Sequence, residues 1–186
     1  NMSIKIGILG ATGRVSRLIL EQLISGKYPS FDLIGASVRD GHALDGKDIA
    51  SLFQKQDTGI FLTSDVEGLC RKADIVIDFT RPDATISHVV TAKRYNTDIV
   101  IGTTGLSPQQ ETTLKEAAST IGIVYAANTS IGVTLLAALV KQAASVLNAE
   151  DYDIEIVETH HKHKVDAPSG TALVLGHAAA EGRNVT

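Results

Sequence analysis

The chain has 186 residues, enough for one large domain or one domain and part of another. Its 44% hydrophobic and 20% charged residues are an ordinary globular mix, and a formal net charge of -4 leaves no global basic field to recruit nucleic acid. Trp is absent and aromatic residues are 4%, so little surface is available for stacking bases. The apolar runs are too short to cross a bilayer, so no membrane partner is expected. Cys70 is alone, which excludes a disulfide framework within one chain. It reads as a buried structural thiol in a reducing, cytoplasmic setting. Asn1 ahead of Met2 is set aside as a remnant, and no signal peptide is expected, because Met2 leads straight into a strand.

Ile4 to Leu9 reads as a short, mostly apolar strand of the kind buried in a parallel sheet. Gly10-Ala11-Thr12-Gly13-Arg14 then turns the chain into an amphipathic helix, with Val15, Leu18, Ile19, Leu20, Leu23 and Ile24 as its apolar residues. Glycines at 7, 10 and 13 form a variant of the dinucleotide fingerprint. Its physics is a tight turn, close backbone approach to a pyrophosphate and a helix start aimed at it. Phe31 to Val38 is the second strand, whose end faces the adenosine ribose in such a unit. Arg39 follows it, and a guanidinium there suits the 2′-phosphate of NADPH. Asp40 is adjacent, so NADH stays open, and the plainer alternative is an exposed arginine at a strand end.

Residues 41–59 are polar and Gly-containing, a loop with at most a short helix. Ile60 to Leu62 is a brief strand, Asp65 to Lys72 a short helix and Ile75 to Phe79 the next buried strand. Pro82 is placed to open a helix with Ile86, Val89, Val90 and Ala92 on its apolar stripe. Ile99 to Ile101 runs into Gly102-Thr103-Thr104-Gly105, a glycine and hydroxyl turn on the edge where open parallel sheets bind ligands. Ser107-Pro108 starts a helix to about Ile121, and Ile123 to Ala126 is a strand with Ala127-Asn128-Thr129-Ser130 as its exit loop. This alternation predicts an α/β fold, a doubly wound parallel sheet up to about residue 127. A long apolar helix, about Val133 to Leu147, then leads to Tyr152–Glu158, whose polar–apolar alternation predicts a half-buried strand.

Glu158 to Thr171 holds three histidines, two lysines and two acids ahead of a Pro-Ser-Gly-Thr turn, and an apolar helix-like run follows. Ser169, Gly170 and Thr171 stand at that helix start, where outward amides favour an anion. Ser169 either donates to such an anion or only caps the helix. His160, His161 and Lys164 would surround a small anionic molecule with cations and proton donors. A zinc site is the rival reading of the histidines. On a strand-like path, however, His160 and His161 point to opposite faces, and no thiolate is near, so no metal is expected.

The segment Glu158–Ala172 closely resembles the signature of the bacterial dihydrodipicolinate reductases, also called 4-hydroxy-tetrahydrodipicolinate reductases. Their pattern is Glu-x-His-His-x-x-Lys-x-Asp-Ala-Pro-Ser-Gly-Thr-Ala, matched here at every specified position. The Gly10–Arg14 turn, Asp78-Phe79-Thr80, Gly102–Gly105 and Ala126-Ala127-Asn128 are similar to that family too. The resemblance implies NAD(P)H-dependent reduction of a small cyclic dicarboxylate in diaminopimelate and lysine biosynthesis, by a homotetramer. It implies that His160 is the acid/base group and Lys164 the proton donor. His161 would face the substrate, and Ser169, Gly170 and Thr171 would hold a carboxylate. Gly10, Ala11, Thr12, Gly13, Arg14 and Val15 would line the cofactor, with Arg39, Gly102 to Thr104, and Ala126, Ala127, Asn128 and Thr129.

Two departures stand out: Val15-Ser16 where the family usually has Met-Gly, and Thr129 where many members have Phe. Family members also run on past this length. Residues 2–129 are therefore expected to be a dinucleotide-binding domain. Residues 130–186 are expected to be the N-terminal part of an α+β substrate and tetramerisation domain. Other readings are a different NAD(P)-dependent dehydrogenase of a small carboxylic acid, or a non-catalytic NAD(P)-binding protein.

Overall fold

The computed structural model describes residues 3–53, 56–126, 128–160, 162 and 167–185. By its packing the chain divides into two units, Asn1–Ala126 and Ala127–Thr186. The first unit alternates strand and helix: β1 (Ile4–Leu9), α1 (Arg14–Ile24), β2 (Phe31–Ser37), β3 (Leu62–Thr63), α2 (Val66–Lys72), β4 (Ile75–Asp78), α3 (Pro82–Tyr95), β5 (Asp98–Ile101), α4 (Pro108–Ala117) and β6 (Ile123–Tyr125). Its six strands lie in the order β3-β2-β1-β4-β5-β6, all parallel. The order reverses at β1, and a crevice opens at the carboxyl ends beside such a switch point. The expected doubly wound sheet is present.

Alternation along β1 explains why the unit has two cores. Ile6 and Ile8 point to one face, into a cluster with Leu20, Leu33, Ile49 and Leu62. Leu9 points to the other, with Leu69, Val76, Val89, Ile99 and Leu114. Gly7 lies on that second face inside β1, and a Cβ there would stand 3.0 Å from Leu69 Cγ. A Cβ on Gly35, in β2, would stand 3.1 Å from Leu69 Cδ1. Gly7 thus makes room for α2 on the sheet, whereas Gly10 and Gly13 shape the turn.

Several boundaries differ from expectation. β3 is Leu62–Thr63 rather than Ile60–Leu62, because Asp48 gathers the preceding turn. Its carboxylate accepts the amides of Thr58 and Gly59 at 3.0 and 2.7 Å, and Ile60 O receives the Ile49 amide. The loop before it carries one short 3₁₀ turn, Ile49–Leu52. α4 closes at Ala117, short of Ile121, whose amide bonds back to Ala117 O while its side chain enters the core. Pro82 opens α3, and Ser107 forms a reciprocal capping box with Gln110 on α4, as expected.

The second unit holds α5 (Ile131–Val146) and α6 (Gly170–Gly182). They meet through small residues: Ala144, Ala178, Ala179 and Gly182 are buried. A Cβ on Gly182 would fall 2.3 Å from Lys141 O, so glycine permits this approach. Tyr152–Glu158 is not a strand. Its alternation is real, but a strand exists only in a ladder, and no ladder partner pairs with it among the described residues. This stretch instead lies against α6: Arg183 donates to Tyr152 O, and Ile156 faces Gly176.

Candidate active site

In the first unit the turn after β1 is tied down by its own backbone. Gly10 has φ +74, a left-handed conformation that suits glycine, and its amide donates to Ser37 Oγ at 3.0 Å. Ala11 N donates to Ser37 O and Gly13 N to Gly10 O. Ser16, one of the departures from the family pattern, is buried and directs its hydroxyl to Leu9 O. That substitution is absorbed inside the fold, away from the open side of the turn.

The helix starts separate into two kinds. α2, α4, α5 and α6 are each capped by a side chain, from Asp65, Ser107, Ser130 and Ser169. α1 and α3 are not: Gly13 and Arg81 precede them without a side-chain cap. Their first-turn amides have no intrahelical partner and remain available to an anion. Both starts border one groove of about 640 Å³. Gly10, Thr12 and Gly13 line it from the β1 exit, Arg39 and Asp40 from the β2 exit, and Thr80 and Arg81 from the β4 exit. A glycine turn, two uncapped helix starts and two arginines fit a dinucleotide that carries phosphates. Arg81 was missed in the sequence; its signal was a basic residue just ahead of the Pro that opens α3.

Not every expected cofactor residue faces this groove. Ala11 is buried, and Gly102, Thr103 and Thr104 are not among its lining residues. A Cβ on Gly102 would fall 1.9 Å from Phe79 Cε1, so its glycine seats the Phe79 ring. Thr103 is buried, and its hydroxyl accepts from Thr80 N at 3.0 Å and Thr85 Oγ1 at 2.8 Å. Thr103 braces the β4 and β5 exits, while Thr104 is exposed. Ala126 ends the first unit with its amide on Ile101 O. Asn128, in the second unit, bonds the Ser130 amide and Thr134 Oγ1 at the start of α5. Thr129 is exposed, and Ala127 lies outside the described residues.

In the second unit, Glu158 organises the expected acid/base cluster. Its Oε1 accepts the Ser169 amide at 2.8 Å, and its Oε2 lies 2.8 Å from His160 Nε2. The Ser169 hydroxyl, then the His160 ring and the Ser169 amide, hold the Glu158 carboxyl down at about 2. Ser169 is only 4% exposed, and its hydroxyl also accepts Ala172 N at 3.1 Å. The capping reading of Ser169 is therefore the one observed. Gly170 differs: a Cβ there would meet nothing within 4 Å, so no protein contact demands glycine at this helix start. Thr171 is exposed beside it. Glu158 also lines a largely apolar cavity of about 630 Å³ with Ile156, Pro168, Leu173 and His177. Its signal was the spacing Glu158-x-His160, which places both on one side of a strand-like path. His161 and Lys164 lie outside the described residues. No group of three or more metal-ligating side chains occurs among the described residues.

Two family models match this chain: dihydrodipicolinate reductase, N-terminus, over residues 4–129, and dihydrodipicolinate reductase, C-terminus, over residues 132–185. The chain belongs to the dihydrodipicolinate reductase family. It is 46% identical over 185 residues to the 4-hydroxy-tetrahydrodipicolinate reductases of Burkholderia mallei (strain SAVP1) and Burkholderia pseudomallei (strain K96243). These alignments cover 98% of this chain and 68% of each relative. Among solved structures it is similar to the dipicolinate-bound dihydrodipicolinate reductase from Paenisporosarcina sp. TG-14, with TM-score 0.73 and 26% identity, covering 98% of this chain and 67% of that one. An amine dehydrogenase from Mycobacterium smegmatis, at 15% identity and TM-score 0.50, shares the fold over 66% of this chain. Among the described residues, no helix is long and apolar enough to cross a membrane.

Proposed function

We propose that this chain reduces 4-hydroxy-tetrahydrodipicolinate to tetrahydrodipicolinate, in diaminopimelate and lysine biosynthesis. The observation that carries this reading is the family match across both units, which includes the Glu158–Ala172 segment. NADPH or NADH supplies the hydride when bound. Residues 2–129 hold the dinucleotide: the amides at the starts of α1 and α3 face its phosphates, and Arg39 favours NADPH by pairing with the 2′-phosphate. Residues 130–186 hold the substrate, whose two carboxylates suit Gly170, Thr171 and His161. Reduction of an unsaturated ring leaves negative charge that a positioned acid must quench, a contribution of about 10²–10⁴-fold. Lys164 donates that proton and His160 serves as acid/base group, with Glu158 fixing its ring. The working form is a cytoplasmic homotetramer.

The test follows NADPH absorbance with enzymatically generated 4-hydroxy-tetrahydrodipicolinate. It uses this chain, the same chain continued to its relatives' length, and the longer chain with Lys164→Ala. Oxidation by the longer chain, with kcat falling far more than NADPH affinity in the variant, is the expected result. Bound NADPH with no turnover in any of them would make this a dinucleotide-binding protein. Near-normal turnover in the variant would remove Lys164 from the mechanism.

A further inference from the structure

Glu158 ends the stretch that lies against α6, and its carboxylate reaches eleven residues along the chain to the start of that helix. Oε1 accepts the Ser169 amide and Oε2 meets His160 Nε2, each at 2.8 Å. The Ser169 hydroxyl accepts Ala172 N, and Ser169 O accepts Leu173 N. Gly170 and Thr171 therefore carry the first-turn amides that neither Glu158 nor the Ser169 cap takes. The Ser169 hydroxyl, His160 and the Ser169 amide hold the Glu158 carboxyl down at about 2, so it is ionised near neutral pH. An ionised carboxylate only accepts hydrogen bonds, so the proton of its bond to His160 sits on Nε2. Nδ1 is then the ring nitrogen left to gain and lose a proton. The His160 side chain keeps 36% of its surface exposed, so a ligand can reach the ring.

We propose that Glu158 is a positioning residue for the reduction: it ties the His160 ring to the α6 start that seats a substrate carboxylate, so that His160 exchanges its proton through Nδ1. The inference deepens the reductase reading above and rests on it. The ring and the helix start are held by the two oxygens of one side chain. A proton-exchanging ring fixed against the carboxylate seat meets the bound substrate in the same geometry at each turnover. Glu158 touches no ligand in this scheme, and its effect passes through the ring. A carboxylate that only capped α6 would leave the ring free to hold its proton on either nitrogen.

The test uses the chain continued to its relatives' length, with isotopically labelled histidine nitrogens followed by NMR. The His160 signals are assigned by their loss in His160→Gln. In the wild type the neutral ring is expected to carry its proton on Nε2 alone. A mixture of tautomers, as in an unrestrained ring, overturns the inference. Glu158→Gln keeps the side chain's length and one oxygen. The Ser169 amide can only donate, so that oxygen faces Ser169 and the new amide nitrogen faces the ring. The ring proton is then expected to move to Nδ1. Turnover of 4-hydroxy-tetrahydrodipicolinate is expected to fall about 100-fold in kcat and kcat/KM alike, the low end of general acid help, with NADPH affinity kept. A raised KM with kcat retained would make Glu158 a cap alone and overturn the inference, as would unchanged ring signals in the variant. Should the variant fail to fold, the wild-type tautomer decides. NADPH bound by the wild type without turnover overturns the reductase reading, and the role of Glu158 with it, whatever the tautomer.

Discussion

Arg39 and Asp40 stand side by side and exposed where β2 leaves the sheet. One can pair with a phosphate and the other with a ribose hydroxyl, so the ratio of their effects reports cofactor choice. Arg39→Ala is expected to weaken NADPH by about 10- to 100-fold, the range of a lost charge-assisted hydrogen bond, and NADH by far less. Isothermal titration with both nucleotides checks this, and equal weakening would separate Arg39 from the 2′-phosphate. Glu158 supplies a pH prediction. Its carboxyl is lowered from 4.5 to about 2 by the Ser169 hydroxyl, His160 and the Ser169 amide. A lowered acid contributes stability above its ordinary value, and that contribution is lost as pH falls towards the folded one. Glu158→Gln should therefore melt below the wild type near neutral pH, and the gap should close between pH 4.5 and about 2. A gap independent of pH would mean the bonds to Ser169 and His160 do not hold the charged form. At this scale the sequence showed which residues could do chemistry, but not which were already engaged. Ser169 and Thr103 both read as ligand contacts, and both spend their hydroxyls inside the protein.

Helix ends were the most legible elements, because caps are local chemistry: Ser107-Pro108 and Pro82 act within one turn. β3 and Tyr152–Glu158 were misjudged because pairing is not local. Side-chain alternation states which face would be buried, and a distant partner decides whether there is a strand. The α5–α6 contact offers a sharp packing test. Gly182→Ala would place a methyl 2.3 Å from Lys141 O and 2.9 Å from Ala144 Cβ, forcing the helices apart. A loss of about 1–3 kcal/mol is expected in denaturant unfolding. Gly176→Ala is its control, since the nearest atom would be Ile156 Cδ1 at 3.7 Å. There a gain of about 0.5–1 kcal/mol from helix propensity is expected. Equal effects at both sites would contradict the close approach of α5 and α6.

For the molecule as a whole, the parallel sheet was predictable because each strand is an apolar run set between amphipathic helices. The order of its strands was not, since alternation alone leaves open where the sheet reverses. The two units differ in what holds them. Every large buried hydrophobic side chain among the described residues belongs to the first unit, and the second buries Ala144, Ala178 and Ala179. α5 meanwhile leaves Ile131, Leu135 and Leu139 exposed. Stability follows buried apolar area, so the second unit should open first. Hydrogen exchange is expected to show α5 and α6 amides exchanging well before those of β1 and β4. Equal protection would mean that the two units unfold as one.

The threonine and aspartate web under the groove has a consequence in time. Thr80, Thr85, Thr103 and Asp78 already bind the β4 and β5 exits to each other. A dinucleotide thus arrives at walls that need no reshaping, and collision alone should set the pace of its capture. In stopped flow, the observed rate would climb in straight proportion to NADPH concentration. A plateau would betray a slow rearrangement before capture.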